Sequence, residues 1–215
     1  MIATANAKRK AQDPIPAGMQ IATCYAALDL GTHHDERYDK DRRELVIVFE
    51  VPKHRITIEK DGEAPKDLPR AISKRYTLSL NEKATLRKDL DSWRGRSFTA
   101  DELKGFDLRN ILGKPCLLNI THNVTDNGTY ANINSITPLM DGMEPSKQEN
   151  PSTFFTFDEF DGGPMPDGMP NWCQEIAKES KEYEAIVSPP APSAATPPAT
   201  TTVVDDVSGE VDAPF

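Results

Sequence analysis

The chain has 215 residues, 37% of them apolar, a formal charge of −9 and a mean hydropathy of −0.56. That length allows one ordinary domain with tails or two small ones, and so low an apolar fraction leaves part of it outside any core. A membrane span needs roughly 18 consecutive apolar residues and a secretory leader needs an apolar core, and neither pattern occurs; Cys24, Cys116 and Cys173 fit neither a disulfide framework nor a zinc spacing, so a reduced, cytosolic protein is expected.

Residues 1–17 are polar and punctuated by proline, the texture of a mobile arm. Met19 to Leu30 is apolar and reads as a first strand closed by Gly31. The run from Thr32 to Arg43 is almost wholly charged or polar and reads as an exposed loop. Glu44–Val51 is the strongest strand signal, β-branched and apolar on both faces. His54–Glu59 is a continuation of it or a short partner strand. Residues 60–70 form a proline- and charge-rich loop, and Ile72–Leu80 alternates as a third strand.

Asn81 is placed to cap a helix whose Leu86, Leu90 and Trp93 recur at helical spacing. Thr99 with Glu102 is a capping-box pattern, and Asp107 heads a further short turn ending at Gly113. Pro115–Asn123 and Thr129–Leu139 are two more strands, joined by Asp126-Asn127-Gly128, a strong hairpin signal. Three strands, a helical connection and a closing hairpin is the order of the five-stranded oligonucleotide-binding (OB) barrel, although any small β-barrel gives it too.

Beyond Leu139 the texture changes. Phe154, Phe155, Phe157 and Phe160 lie within seven residues among acids, and four rings are costly to leave in water, so packing on the barrel or a neighbouring subunit is expected. Pro170–Ile186 reads as a helix with Trp172, Ile176 and Tyr183 near one face. Residues 187–204 are Pro, Ala, Ser, Thr and Val without charge, a composition that cannot offset the entropy of ordering it. The expected organisation is therefore an arm at 1–17, a barrel at 18–140, an acidic-aromatic strap and helix at 141–186, a disordered linker at 187–204 and an acidic tip at 205–215.

Charge divides along the same boundary. Residues 1–140 hold 22 Lys and Arg against 19 Asp and Glu, whereas residues 141–215 hold 3 against 15. A mildly basic part precedes a strongly acidic one, so the overall acidity need not repel an anion from the barrel. In the tip, Asp205, Asp206, Glu210 and Asp212 precede Pro214-Phe215. An aromatic ring with a carboxylate suits a basic-rimmed apolar pocket, and the acids steer the tip towards a basic partner. An ordinary solubilising acidic tail is the plain alternative.

The segments SLNEKATLRKDLDSWRGRSFTADELKGFDL, LGKPCLLNITHN and PNWCQEIAKESKEYEA resemble bacteriophage-encoded single-stranded-DNA-binding proteins, over roughly residues 19–186, and the tail resembles those of bacterial proteins of this kind. The resemblance implies an OB-fold, sequence-tolerant binding of single-stranded DNA, and work in phage replication or recombination in the host cytoplasm. It also implies replication or recombination proteins as partners of the tip, with a homo-oligomer possible.

Such binding needs cations along the phosphates and rings on which bases stack. The candidates are Tyr25, Lys53, Arg55, Lys74, Arg75, Arg87, Arg94, Arg96 and Tyr130, with Arg75 the best single phosphate contact. Tyr25 is assigned outward because it alternates with Cys24 and Leu28. Tyr76, Trp93 and Phe49 read as core. No cofactor, metal site or catalytic set is expected, since no P-loop, GxSxG or HExxH motif occurs. The rival readings are a virion or assembly protein with a β-sandwich core, and a metal-dependent DNA-processing enzyme built on His33-His34 beside Asp35 and Glu36.

Overall fold

The computed structural model describes residues 13–58, 64–126 and 128–188. Five strands form the body: β1 (Gly18–Asp35), β2 (Lys40–Ile58), β3 (Lys66–Thr77), β4 (Pro115–Thr125) and β5 (Gly128–Thr137). They pair antiparallel in the order β3-β2-β1-β4-β5. β1 serves both halves, because Gly18–Thr23 pairs with β4 and the chain from Thr23 onward pairs with β2. The sheet curls into an open half-barrel, compatible with a β-barrel, in which β3 and β5 approach one another without a hydrogen-bonded ladder. Helix α1 (Thr85–Arg94) joins β3 to β4 and packs on both β3 and β5.

The inner face carries one apolar cluster. Cys24, Leu45, Ile47, Phe49, Leu118 and Ile136 are among its buried members, and Leu86, Leu90 and Trp93 of α1 close it from below. Trp93 lies 5.5 Å from Phe49 between ring centroids, and its indole N–H donates to the Pro115 carbonyl at 2.9 Å. Asp13–Ala17 belongs to this body and not to a free arm. Ile15 is buried in the cluster, and its carbonyl bonds the His122 ring at 2.8 Å.

Two bulges determine what the other face carries. In the β1–β2 register Cys24 is opposite Phe49 and Ala26 opposite Val48, so Tyr25 is the extra residue; Leu30 is a second. One unpaired residue inverts the alternation that follows it. Ala22 and Cys24 therefore face inward, while Ala26, Leu28 and Leu30 join Val46 and Val48 on the outside.

That outer face is covered by the segment after β5. Strand β6 (Thr153–Phe155) runs parallel to β1 along Ala26–Leu28, the edge left free where β4 stops pairing. Phe155 and Phe157 are buried there with Met165, Met169, Cys173 and Ala177. Phe155, Phe157 and Phe160 meet edge to face at 5.2–5.8 Å, and Tyr183 stacks on Phe160. The phenylalanine cluster thus packs on the half-barrel of its own chain.

Two buried carboxylates fasten this strap. Glu50, fully buried in β2, accepts the backbone N–H of Glu149 at 2.7 Å and of Asn150 at 2.9 Å, and the Asn150 amide at 2.7 Å. Asp29 accepts from Arg43 Nη2 at 2.5 Å, the Gly31 N–H at 2.9 Å and the Phe157 N–H at 3.2 Å. Charge-assisted bonds of this kind keep a buried carboxylate from being a net liability. Gly31 has φ near +79°, and a Cβ there would overlap the Ser180 side chain, so only glycine permits the contact.

Several elements differ from the sequence reading. The expected loop 32–43 is the far end of a hairpin, with β1 reaching Asp35 and β2 starting at Lys40, since cross-strand pairing tolerates polar residues on both faces of a projecting arm. Part of the expected loop at 60–70 is strand from Lys66, and Arg55–Ile58 continues β2 past a bulge at Pro52–His54. Ala84, not Asn81, is the N-cap of α1; the Asn81 carbonyl instead accepts the Ala84 N–H in a preceding turn. The capping box forms as expected, with Thr99 N–H to Glu102 at 2.9 Å and Glu102 N–H to Thr99 Oγ1 at 3.3 Å.

The expected C-terminal helix is two, α2 (Asn171–Lys178) and α3 (Lys181–Val187). Buried Ser180 divides them, donating to Ala177 and capping α3 through the Tyr183 N–H. Cys173 and Ala177, not Trp172, form the buried face of α2. The expected linker from 189 and the whole acidic tip, with Asp205, Asp206, Glu210, Asp212, Pro214 and Phe215, lie outside the described residues.

Candidate nucleic-acid interface

Strand pairing beyond the body produces projecting hairpins, because each outer strand outruns its central partner. On the β4–β5 hairpin β1 covers β4 only as far as Ile120, and every described residue from Thr121 to Tyr130 is exposed. Tyr130 is 52% exposed opposite Asn123, a ring free to receive a base. Lys53 stands exposed at the β2 bulge, with no ion pair among the described residues. Beside it, burial is the main cause holding the His54 ring below its ordinary pKa, with Lys53 and Arg70 adding to the effect.

The other candidate cations are all engaged. Arg55 bonds Asp67 at 2.9 Å and Glu149 at 2.5 Å. Arg75 pairs with Glu44, so the residue expected to be the best single phosphate contact already has a carboxylate. Lys74 meets Asp89 at 2.6 Å, Arg87 lies 3.8 Å from Asp91, and Arg94 pairs with Glu102 between the rings of Phe98 and Phe106. These three side chains have at most 21% exposure, and Lys74 and Arg87 act as scaffold. Arg96 also bonds Glu102, at 2.8 Å, but its side chain is 55% exposed. Exposed pairs are worth about 0–1 kcal/mol, so a phosphate can compete for Arg55, Arg75 and Arg96.

Tyr25 is corrected more fully. The bulge places it against the outer apolar cluster, half-buried, and desolvation, aided by Glu50, raises its phenol to about 12. It is a packing residue where an outward stacking ring was expected.

One aromatic went unrecognised. Tyr38, at the tip of the β1–β2 hairpin, is 53% exposed, with the Arg42 guanidinium 4.6 Å and that of Arg37 5.4 Å from its ring centre. The visible signal was an isolated ring inside DERYDKDRR, obscured because the run read as a solvated loop.

A groove of about 530 Å³ opens between the end of α1 and the start of β4, lined among others by Arg94, Arg96, Glu102, Phe106, Asn110 and Lys114. Glu102 is the only carboxylate of its lining. Bonds from Arg96 and from the Thr99 N–H lower the Glu102 carboxyl to about 2.

His33 bonds the Leu30 carbonyl at 2.8 Å, while His34 turns to Asp41 and Asp39 at 3.3 and 3.5 Å. The pair does not converge, and no group of three or more His, Cys, Asp or Glu arranged for a metal occurs among the described residues. The thiols of Cys24, Cys116 and Cys173 are buried and free, each pushed up by desolvation, the condition of inert thiols. Comparison with known proteins found no matching family model, no matching curated relative and no matching solved structure.

Proposed function

We propose that this chain is an OB-fold protein that binds single-stranded DNA with little sequence preference, protects it, and recruits replication or recombination proteins through its acidic tip. The observation that carries the reading is topological. A shared first strand, the order β3-β2-β1-β4-β5 and a helix between the third and fourth strands support that reading of the half-barrel. Barrels of this kind bind oligonucleotides on the second and third strands and on the loops joining strands one to two and four to five. Here those positions offer Lys53, Arg55 and Arg75 on the strands, Tyr38 on one hairpin and Tyr130 on the other.

Cations displace the counterions of the phosphates, which makes affinity fall with salt, and each base stacked on an aromatic ring adds about 1–3 kcal/mol. The resemblance to phage proteins assigns the setting to a bacterial host cytoplasm. The charge of residues 205–215, with Asp205, Asp206, Glu210 and Asp212 and no Lys or Arg, supports a protein-recruiting tip distinct from a DNA-holding body.

The test is a fluorescence titration with a dT oligomer at two salt concentrations. Wild type should bind more weakly at the higher salt, and combining Lys53→Glu with Tyr130→Ala should weaken binding about tenfold or more, one stacked base alone accounting for about 1–3 kcal/mol. Absent or salt-insensitive binding by wild type would overturn the reading.

A further inference from the structure

The groove beside α1 holds an unusual surplus of positive charge. Arg94, Arg96 and Lys114 line it against one carboxylate, Glu102, which bonds both arginines. Lys114 is exposed and has no ion pair among the described residues. Arg94 Nη1 is buried and has no acceptor among the described residues, although the same guanidinium is held by Glu102 and by two aromatic rings. A buried charged donor without an acceptor is destabilising, so the site is incomplete in electrostatic terms. The Asn110 amide adds polar capacity and Phe106 an apolar wall.

We infer that this groove is a phosphate site, in which a phosphodiester of bound single-stranded DNA is held by Arg94, Arg96 and Lys114. The inference rests on the DNA-binding reading, adds Lys114 to it and joins that residue with Arg94 and Arg96 in one site. A phosphate fits because its oxygens accept from several donors at once, and two guanidinium forks with an ammonium match that geometry. Glu102 holds the forks in place and leaves a net surplus of two positive charges for the ligand. Pro115 begins β4 at the groove and Asn123 of the same strand faces Tyr130, so the two contacts lie eight positions apart along β4. At about 3.3 Å per residue that is roughly 26 Å, which implies a strand engaged over several nucleotides.

The decisive measurement uses the full-length chain and the variants Lys114→Gln and Lys114→Glu, titrated with a dT oligomer across a salt series. Lys114 is exposed and unpaired, so both variants should melt with wild type. Lys114→Gln should flatten the plot of log affinity against log salt by about 0.7, the contribution of one phosphate contact on a single strand. Lys114→Glu should weaken binding about tenfold at low salt. Unchanged affinity and slope, with wild type still binding in a salt-dependent way, would overturn the groove assignment and leave the DNA-binding reading intact. Tighter binding by Lys114→Glu would mean that the groove holds the chain's own acidic segment, and would also overturn it. Stabilisation by inorganic phosphate that depends on Lys114, with oligomer binding unaltered, would assign a free-phosphate site instead. Failure of wild type to bind any oligomer would remove the underlying reading itself.

Discussion

Phe49 and Val48 are neighbours in one strand, yet Phe49 packs beneath α1 inside the half-barrel and Val48 packs beneath the C-terminal strap outside it. The inner cluster is made mainly by strands and one helix that follow one another in the chain. The outer cluster brings β1 and β2 together with residues more than 100 positions later, held in place by the buried carboxylates of Asp29 and Glu50. Apolar contact alone tolerates sliding, whereas a carboxylate accepting named backbone N–H groups fixes one position. The inner cluster therefore supplies bulk stability, and the outer one supplies register.

Substitutions can break that comparison. Phe49→Ala should cost about 3–5 kcal/mol in chemical denaturation and lower the protection of the whole body, because it removes a fully buried ring from under Trp93. Glu50→Ala should cost less, about 2–3 kcal/mol, by leaving the N–H groups of Glu149 and Asn150 without their acceptor. Hydrogen exchange should locate that loss in residues 149–187, with the inner strands retaining their protection. Equal loss in both regions would mean that the two clusters form one cooperative unit.

The smallest effect concerns Glu102. Its folded-state pKa is lowered from 4.5 to about 2, so the stability it contributes is fully present above pH 4.5 and is lost as pH falls towards 2. Melting curves of wild type and Glu102→Gln should differ at neutral pH and converge at pH 2; a gap that persists there would remove the electrostatic account.

Much of the strand order was legible because it rests on local chemistry. Leu45–Val51 is β-branched and apolar, Thr99 and Glu102 have capping-box spacing, and the run at Asp126 marks a turn. What sequence concealed depends on distant partners. Nothing near Arg75 or Arg55 announces Glu44 or Glu149, so cations that looked free are paired. The hairpin at 32–43 was hidden because both faces of a projecting arm are wet and carry no apolar period. Tyr38 was lost with it.

The extra residue at Tyr25 acts on the sheet as a frameshift acts on a message. From Ala26 to Leu30 each side chain of β1 is read out on the opposite side from the one its position would otherwise dictate, until the second extra residue, Leu30, restores the frame. A strand that kept Tyr25 in regular alternation would turn Ala26 and Leu28 toward a barrel interior already filled and present Ala27 and Asp29 to the strap, whereas deleting Tyr25 would leave Ala26 opposite Val48 and on the same face.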